Sequence, residues 1–266
     1  LGDVYKRQIT ALVSATILFF ALYFGCETQS KDQQSLEKTR VFSAESTDVN
    51  VLMKEAQGRL QANSKNEIGS IEHELELVQD DSSAYTSTLM RLAGAWFNAG
   101  EPAISGHYAQ LVAQRLQTED AWSKAGTTYA ICLQRSEDEK VRTYCTQRAV
   151  AAFESAISVN PENVAHRVNL AVVHAENPPK EDVMRGITML LELNRQYPEN
   201  VSVLNNLGRL AIQTGQFDKA VQRLERVLEI EPGNLTATCL LADAWNGAGD
   251  AAKAEQFAKA CGQFNE

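Results

Sequence analysis

Proline is scarce, six in 266 residues, and runs of strict apolar–polar alternation are missing. The two absences argue against a strand-rich fold and leave an all-α chain. Basic charge is also short: 25 lysines and arginines face 34 aspartates and glutamates, a net charge of −9. No basic stripe interleaved with aromatics can be drawn. That argues against nucleic acid as a partner, since phosphate neutralisation needs clustered cations. Signatures of chemistry are lacking as well. There is no glycine-rich phosphate loop, no G-x-S-x-G elbow and no placeable pair of catalytic carboxylates. Of the four histidines, His73 opens like a zinc motif with Glu74 but has no second histidine four residues on. His166 and His174 are eight apart on one helix, too far to share a metal. An enzyme, a metal centre and a bound cofactor are therefore not expected.

What the chain has is a period. Pro161, Pro198 and Pro232 recur at near-regular steps, and the last full step, residues 201–234, is 34 residues long. With residue 201 as position 1, Leu207 and Gly208 fall at positions 7 and 8, Ala220 at 20, Leu224 at 24, Val227 at 27 and Pro232 at 32. One period on, Leu241, Ala242, Trp245, Ala254, Ala258 and Cys261 take positions 7, 8, 11, 20, 24 and 27. One period back, residues 164–200 supply Leu170, Ala171, Gly186, Leu190 and Pro198, once a three-residue excess around 177–180 is allowed. Residues 119–163 carry Trp122, Ala125, Gly126 and Tyr129 in the first helix and Ala149, Phe153 and Pro161 in the second, after an excess of about eleven residues. Residues 86–118 carry Leu92, Ala93, Trp96 and Ser105 but lack the closing proline.

These spacings resemble the tetratricopeptide repeat family, in which each repeat is a helix–turn–helix unit. The resemblance covers residues 86–266 as five repeats, 86–118, 119–163, 164–200, 201–234 and 235–266. It implies an all-α solenoid, an α-α superhelix in which each hairpin contacts its neighbours. Small residues at positions 8 and 20 let paired helices approach. Proline at 32 ends the second helix because it lacks an N–H and restricts the residue before it. Residues 48–85 add two more helices, a degenerate leading pair, with Asp48 as a cap and Ile68, Ile71, Leu75 and Val78 at helical spacing.

The N-terminus is a different matter. Residues 1–8 contain Asp3-Val-Tyr-Lys-Arg-Gln8, which looks like the translated end of a sequencing-library adapter; the alternative is a genuine basic n-region from Lys6 and Arg7. Residues 9–25 carry no charge and run directly into Cys26. An apolar stretch ending in Gly25-Cys26 resembles a bacterial lipoprotein signal, although Tyr23 stands where leucine is usual. In that reading residues 9–26 form the signal, Cys26 is lipid-modified, and the rest is tethered outside the cytoplasm. A single membrane anchor, slightly short of the roughly 20 residues a span needs, and an ordinary secretory signal remain open. All three place the domain at or across a membrane rather than free in the cytoplasm, and the favoured reading is a membrane-anchored protein of the cell envelope. Residues 27–47 are polar and read as a flexible linker.

Two cysteines, Cys132 and Cys145, flank the insertion at 134–144; they either pair in an oxidising compartment or are two small half-buried side chains. Cys261 at a packing position and Cys239 near the groove are not expected to pair. The insertions around 136–140 and 178–182 are expected as charged loops, either merely solvated or forming a lip over the groove.

In this family the first helix of each repeat lines a concave groove. Positions 2, 5, 6, 9, 12 and 13 then put Arg91, Asn98, Lys124, Asn169, Glu176, Asn205, Asn206, Arg209, Gln213, Asp243 and Asn246 on that face. Amides and charges of this kind suit a protein or peptide partner. The lysine and asparagine clamp that some co-chaperone members place on a C-terminal carboxylate is absent: Asn169 fits its middle slot, but Ser123, Thr127, Ser202 and Asn206 occupy the others. The expected function is a non-catalytic scaffold of the envelope; the alternative is a structural module that self-assembles into homo-oligomers at the membrane.

Overall fold

Each of the tripeptides at 161–163, 198–200 and 232–234 ends one helix and starts another. The Asn163, Asn200 and Asn234 side chains accept hydrogen bonds from the N–H groups of Ala165 (3.0 Å), Val203 (3.0 Å) and Ala237 (2.9 Å). Such caps satisfy donors that the first helical turn leaves free, at about 1 kcal/mol each. Asp48, Asp81, Thr118 and Asp138 cap four further helices in the same way.

The computed structural model describes residues 48–263. Among them are twelve helices and no strand: α1 Val49–Gln57, α2 Ala62–Leu77, α3 Ser82–Asn98, α4 Pro102–Leu116, α5 Glu119–Arg135, α6 Glu139–Val159, α7 Val164–Glu176, α8 Arg185–Gln196, α9 Val201–Gln213, α10 Phe217–Ile230, α11 Leu235–Ala248 and α12 Ala251–Gln263. From α3 onward they pack as successive antiparallel pairs, each on the next. This is the helix–turn–helix solenoid. The expected segments at 1–8, 9–26 and 27–47, Cys26 included, lie outside the described residues.

Three of the turns within repeats share one geometry. Gly100, Gly215 and Gly249 follow α3, α9 and α11 with φ of 84°, 70° and 86°, a left-handed region that glycine enters without a Cβ penalty. The close crossings also need small residues. Ser105 donates its hydroxyl hydrogen bond to the Ala93 carbonyl (2.8 Å), tying positions 8 and 20 of that repeat together. At Gly186 an added Cβ would strike the α7 backbone at Ala171 and Ala175. At Gly126 and Gly208 the space is taken instead by a position-24 side chain: a Cβ would lie 2.7 Å from the Phe153 ring and 2.8 Å from Leu224.

Three features differ from the sequence expectation. The eleven-residue excess at 134–144 is not a loop. It lengthens α5 and α6 by added helical turns, leaving a turn of three residues, 136–138, with Asp138 capping α6 through Lys140 N–H (2.7 Å) and Val141 N–H (3.2 Å). Lys140 is therefore helical; the 178–182 insertion does lie between helices. The leading pair is not a hairpin like the others: α1 packs on α4 and α2 on α3. Most directly, Cys239 and Cys261 are joined by a disulfide, correcting the expectation that they stay apart. The reason is antiparallel register. The two cysteines stand at matching distances on either side of the Gly249 turn, which brings their Cα atoms to 5.0 Å. Cys132 and Cys145 bracket the 136–138 turn likewise, with Cα atoms 6.1 Å apart, and are also bonded. Both separations lie in the usual disulfide range.

Candidate functional site

α4 packs against both α3 and α5, and the three helices line an open cavity of about 570 Å³. Its floor is apolar: Met90 and Phe97 from α3, Val112 and Leu116 from α4, and Ile131 from α5. Its rim is small and polar, with Ser123, Thr127 and Thr128. Met90 is 49% exposed and Leu116 43%, so this surface is available rather than buried. Gly94 sits mid-helix at its edge, and an added Cβ there would meet no atom within 4 Å. A glycine inside a helix costs about 1 kcal/mol against alanine, and at Gly94 no neighbouring helix needs the space.

The residues expected on the concave face fall into three groups. Asn98 and Lys124 line this cavity, with Arg91 close by on the α2 side. Both cations are engaged: Arg91 with Glu74 of α2 (2.6 Å) and Lys124 with Asp120 one turn back (2.6 Å). The second group is a polar network across three repeats. Glu176 accepts from Arg209 (3.0 Å) and Gln134 (3.0 Å), and Arg209 also donates to Asn206 (3.3 Å). Arg142 donates to the backbone carbonyls of Glu176 (3.2 Å) and Leu133 (2.7 Å) from behind. Asn206 donates to the Ser202 carbonyl (2.9 Å), and Asn205 to Asn234, the cap of α11 (3.3 Å). Asn169 is half-buried on α7 between the two groups. Gln213, Asp243 and Asn246 are exposed on α9 and α11, toward the far end.

Sequence reasoning looked for polar side chains and so passed over Met90, Gly94, Phe97 and Ile131. The signal was present, since they occupy groove positions 5, 9, 12 and 13 of their repeats. Phe97 is further marked by the Arg135 guanidinium, 5.6 Å above its ring.

Glu119 organises the junction behind this face. It opens α5 and accepts hydrogen bonds from Asn160 (2.7 Å), Asn163 and the buried His166 (2.7 Å). These bonds, Asn160 first, hold its carboxyl down at about 2, against an ordinary 4.5. Burial pushes His107 and His174 below the ordinary 6.5, with Arg148 and Arg185 adding to the effect. Burial also raises Tyr108 to about 12. Among the described residues no cluster of three or more histidine, cysteine, aspartate or glutamate side chains could hold a metal ion. No helix among them is long and apolar enough to cross a membrane.

Stacked helical hairpins define the class: a helical-repeat scaffold for protein–protein interaction. Tetratricopeptide repeat models match residues 180–234 and 211–261. Residues 180–261 are thus tetratricopeptide repeats. Among solved structures it is similar to a thermophilic tetratricopeptide repeat protein of Thermus thermophilus, at 18% identity over 67% of this chain and 89% of that one, TM-score 0.48. It is also similar to BtubC of P. vanneervenii, at 19% identity over 77% and 92%, TM-score 0.47. A third is MamA, residues 41 to the end, of Desulfovibrio magneticus RS-1, at 13% identity over 70% and 96%, TM-score 0.44. No curated protein matches the sequence significantly.

Proposed function

We propose that this protein is a tethered adaptor of the cell envelope that holds a segment of a partner polypeptide in its concave groove. It works by binding, without catalysis. The observation that carries the reading is the open apolar cavity between α3, α4 and α5, with exposed Met90 and Leu116 and a helix opened at Gly94. Apolar anchors in a preformed cleft supply most of the energy of such contacts. The polar network around Glu176 and Arg209 continues the same face and would fix the orientation of the bound segment. Two disulfides in one repeat domain support a compartment outside the reducing cytoplasm. The apolar residues 9–25 and Cys26 supply the tether in this reading.

The test is crosslinking in intact envelopes, followed by capture with the full chain or its Gly94→Leu variant. The space above Gly94 admits the side chain, so the variant folds with wild-type helicity. Capture of the partner falls about tenfold, equivalent to roughly 1.4 kcal/mol. Undiminished capture by this variant would move the site elsewhere. Cys26→Ser tests the tether separately: a lipid-anchored chain leaves the membrane fraction, and a spanning one stays.

Self-assembly has one observation of its own. Ala254 and Ala258 of α12 stay outside the core, whereas Ala220 and Leu224, at the same repeat positions, are fully buried. Sedimentation of the purified chain separates the readings: an oligomer stable without any partner favours stacking, a monomer the adaptor.

A further inference from the structure

We propose that Cys239–Cys261 is a site of thiol–disulfide exchange, open to a dithiol reductant, while Cys132–Cys145 is a permanent staple. The two bonds close similar hairpins but stand in opposite surroundings. Cys132 is 1% exposed and Cys145 0%, both set in the largest core cluster with Tyr129, Leu133 and Tyr144. No thiolate reaches them unless α5 and α6 come apart. Cys239 and Cys261 are only half-buried, in the last described pair. Among the described residues α12 has its packing against α11, and none of its side chains up to residue 262 is fully buried. Phe257 is its main apolar contact, and the Lys253 ammonium lies 3.7 Å over the Trp245 ring. Few buried contacts make such a helix the first to open, and exposed disulfides are the exchangeable ones.

The chemistry is a two-electron exchange. One thiolate of the reductant attacks a sulfur of the Cys239–Cys261 bond. That bond breaks, a mixed disulfide forms, and the other cysteine leaves as a thiolate that takes up a proton. The reductant's second thiolate then displaces the remaining cysteine, which is protonated in turn. The dithiol ends as a disulfide, the cystine as two thiols. Release of the clamp loosens α12 and uncovers the side of α11 that carries Leu241 and Trp245, next to groove position 5, which Cys239 itself occupies.

The experiment uses the full oxidised chain in native buffer with graded dithiothreitol, trapping with N-ethylmaleimide and peptide mapping. Cys239 and Cys261 become labelled together, about tenfold or more ahead of Cys132 and Cys145, and amide exchange in α12 accelerates about tenfold while α5 and α6 stay protected. Equal labelling rates, earlier labelling of Cys132 and Cys145, or labelling of Cys239 and Cys261 before any reductant is added overturns the assignment. The double variant Cys239→Ser, Cys261→Ser reads the clamp without reductant: trypsin cuts it at Lys253 and Lys259 as fast as it cuts the reduced protein. If both resist cleavage as well as the oxidised chain, the bond does not clamp α12.

Discussion

Replacing Gly186 by alanine adds one methyl group where α8 crosses α7. The new Cβ would lie 2.7 Å from the Ala175 Cα and closer still to the Ala175 nitrogen and the Ala171 carbonyl oxygen. All three are backbone atoms inside a helix, so no rotamer change relieves the contact; the helices must separate. Overpacking of this kind costs about 1–3 kcal/mol. Against it stands the better helix propensity of alanine, at most about 1 kcal/mol and less in the first turn of a helix, where Gly186 sits. The expected net loss is about 1–2 kcal/mol. For a domain of this size that lowers the melting temperature by about 3–6 °C.

Gly94→Ala is the matched control. It makes the same chemical change in α3 with nothing within 4 Å of the new atom. The unfolded chain loses the same freedom in both variants, so their difference isolates the crossing. Gly94→Ala gains about 0.5–1 kcal/mol. Urea melts followed at 222 nm, with m-values compared to check cooperativity, give both numbers. A Gly186→Ala protein as stable as wild type, or within about 0.5 kcal/mol of Gly94→Ala, would refute the argument that glycine is there to let α7 and α8 touch.

Four further outcomes are expected. Glu119 has a carboxyl pKa lowered by folding, so its stabilisation is complete above about 4.5 and is lost as pH falls toward about 2; Glu119→Gln flattens the melting temperature against pH in that window. His107 and His174 are held below 6.5 by burial, which makes the unfolded chain take up protons first, so stability also declines as pH falls from about 6.5; His174→Gln reduces that slope in pH-dependent melts. A double-mutant cycle on Glu176 and Arg209, both mostly buried and 3.0 Å apart, yields a coupling of about 0.5–1 kcal/mol, and Asn206→Ala with Arg209→Ala keeps helicity while weakening partner capture; unchanged capture would detach the polar network from the binding face.

The fold was legible because its determinants are local and repeated. Pro161, Pro198 and Pro232 stop helices wherever they occur, and the asparagine two residues after each, Asn163, Asn200 and Asn234, caps the next helix. Leu204, Leu207, Leu224 and Val227 carry the helical spacing that marks a buried face. The groove was legible as a set of positions but not as a surface. Arg91, Lys124, Glu176 and Arg209 stand on or beside it, yet each is joined to another side chain of the same protein. Which charges remain for a partner depends on neighbours that range from one helical turn to one repeat away, and the period does not state which of them meet.

Sequence by itself determined the helices, their pairing from α3 onward and the small residues at the crossings, because each follows from the chain within about 34 residues. Tertiary structure decided the rest. It turned an apparent inserted loop into longer helices, set α1 against α4, and joined Cys239 to Cys261 across a turn whose register only the folded hairpin defines. It also gathered Met90, Phe97, Leu116 and Ile131, from three helices, into one apolar cavity. The physical reason is the same in each case: these contacts depend on the relative placement of packed helices, a quantity that residue spacing along one helix does not contain.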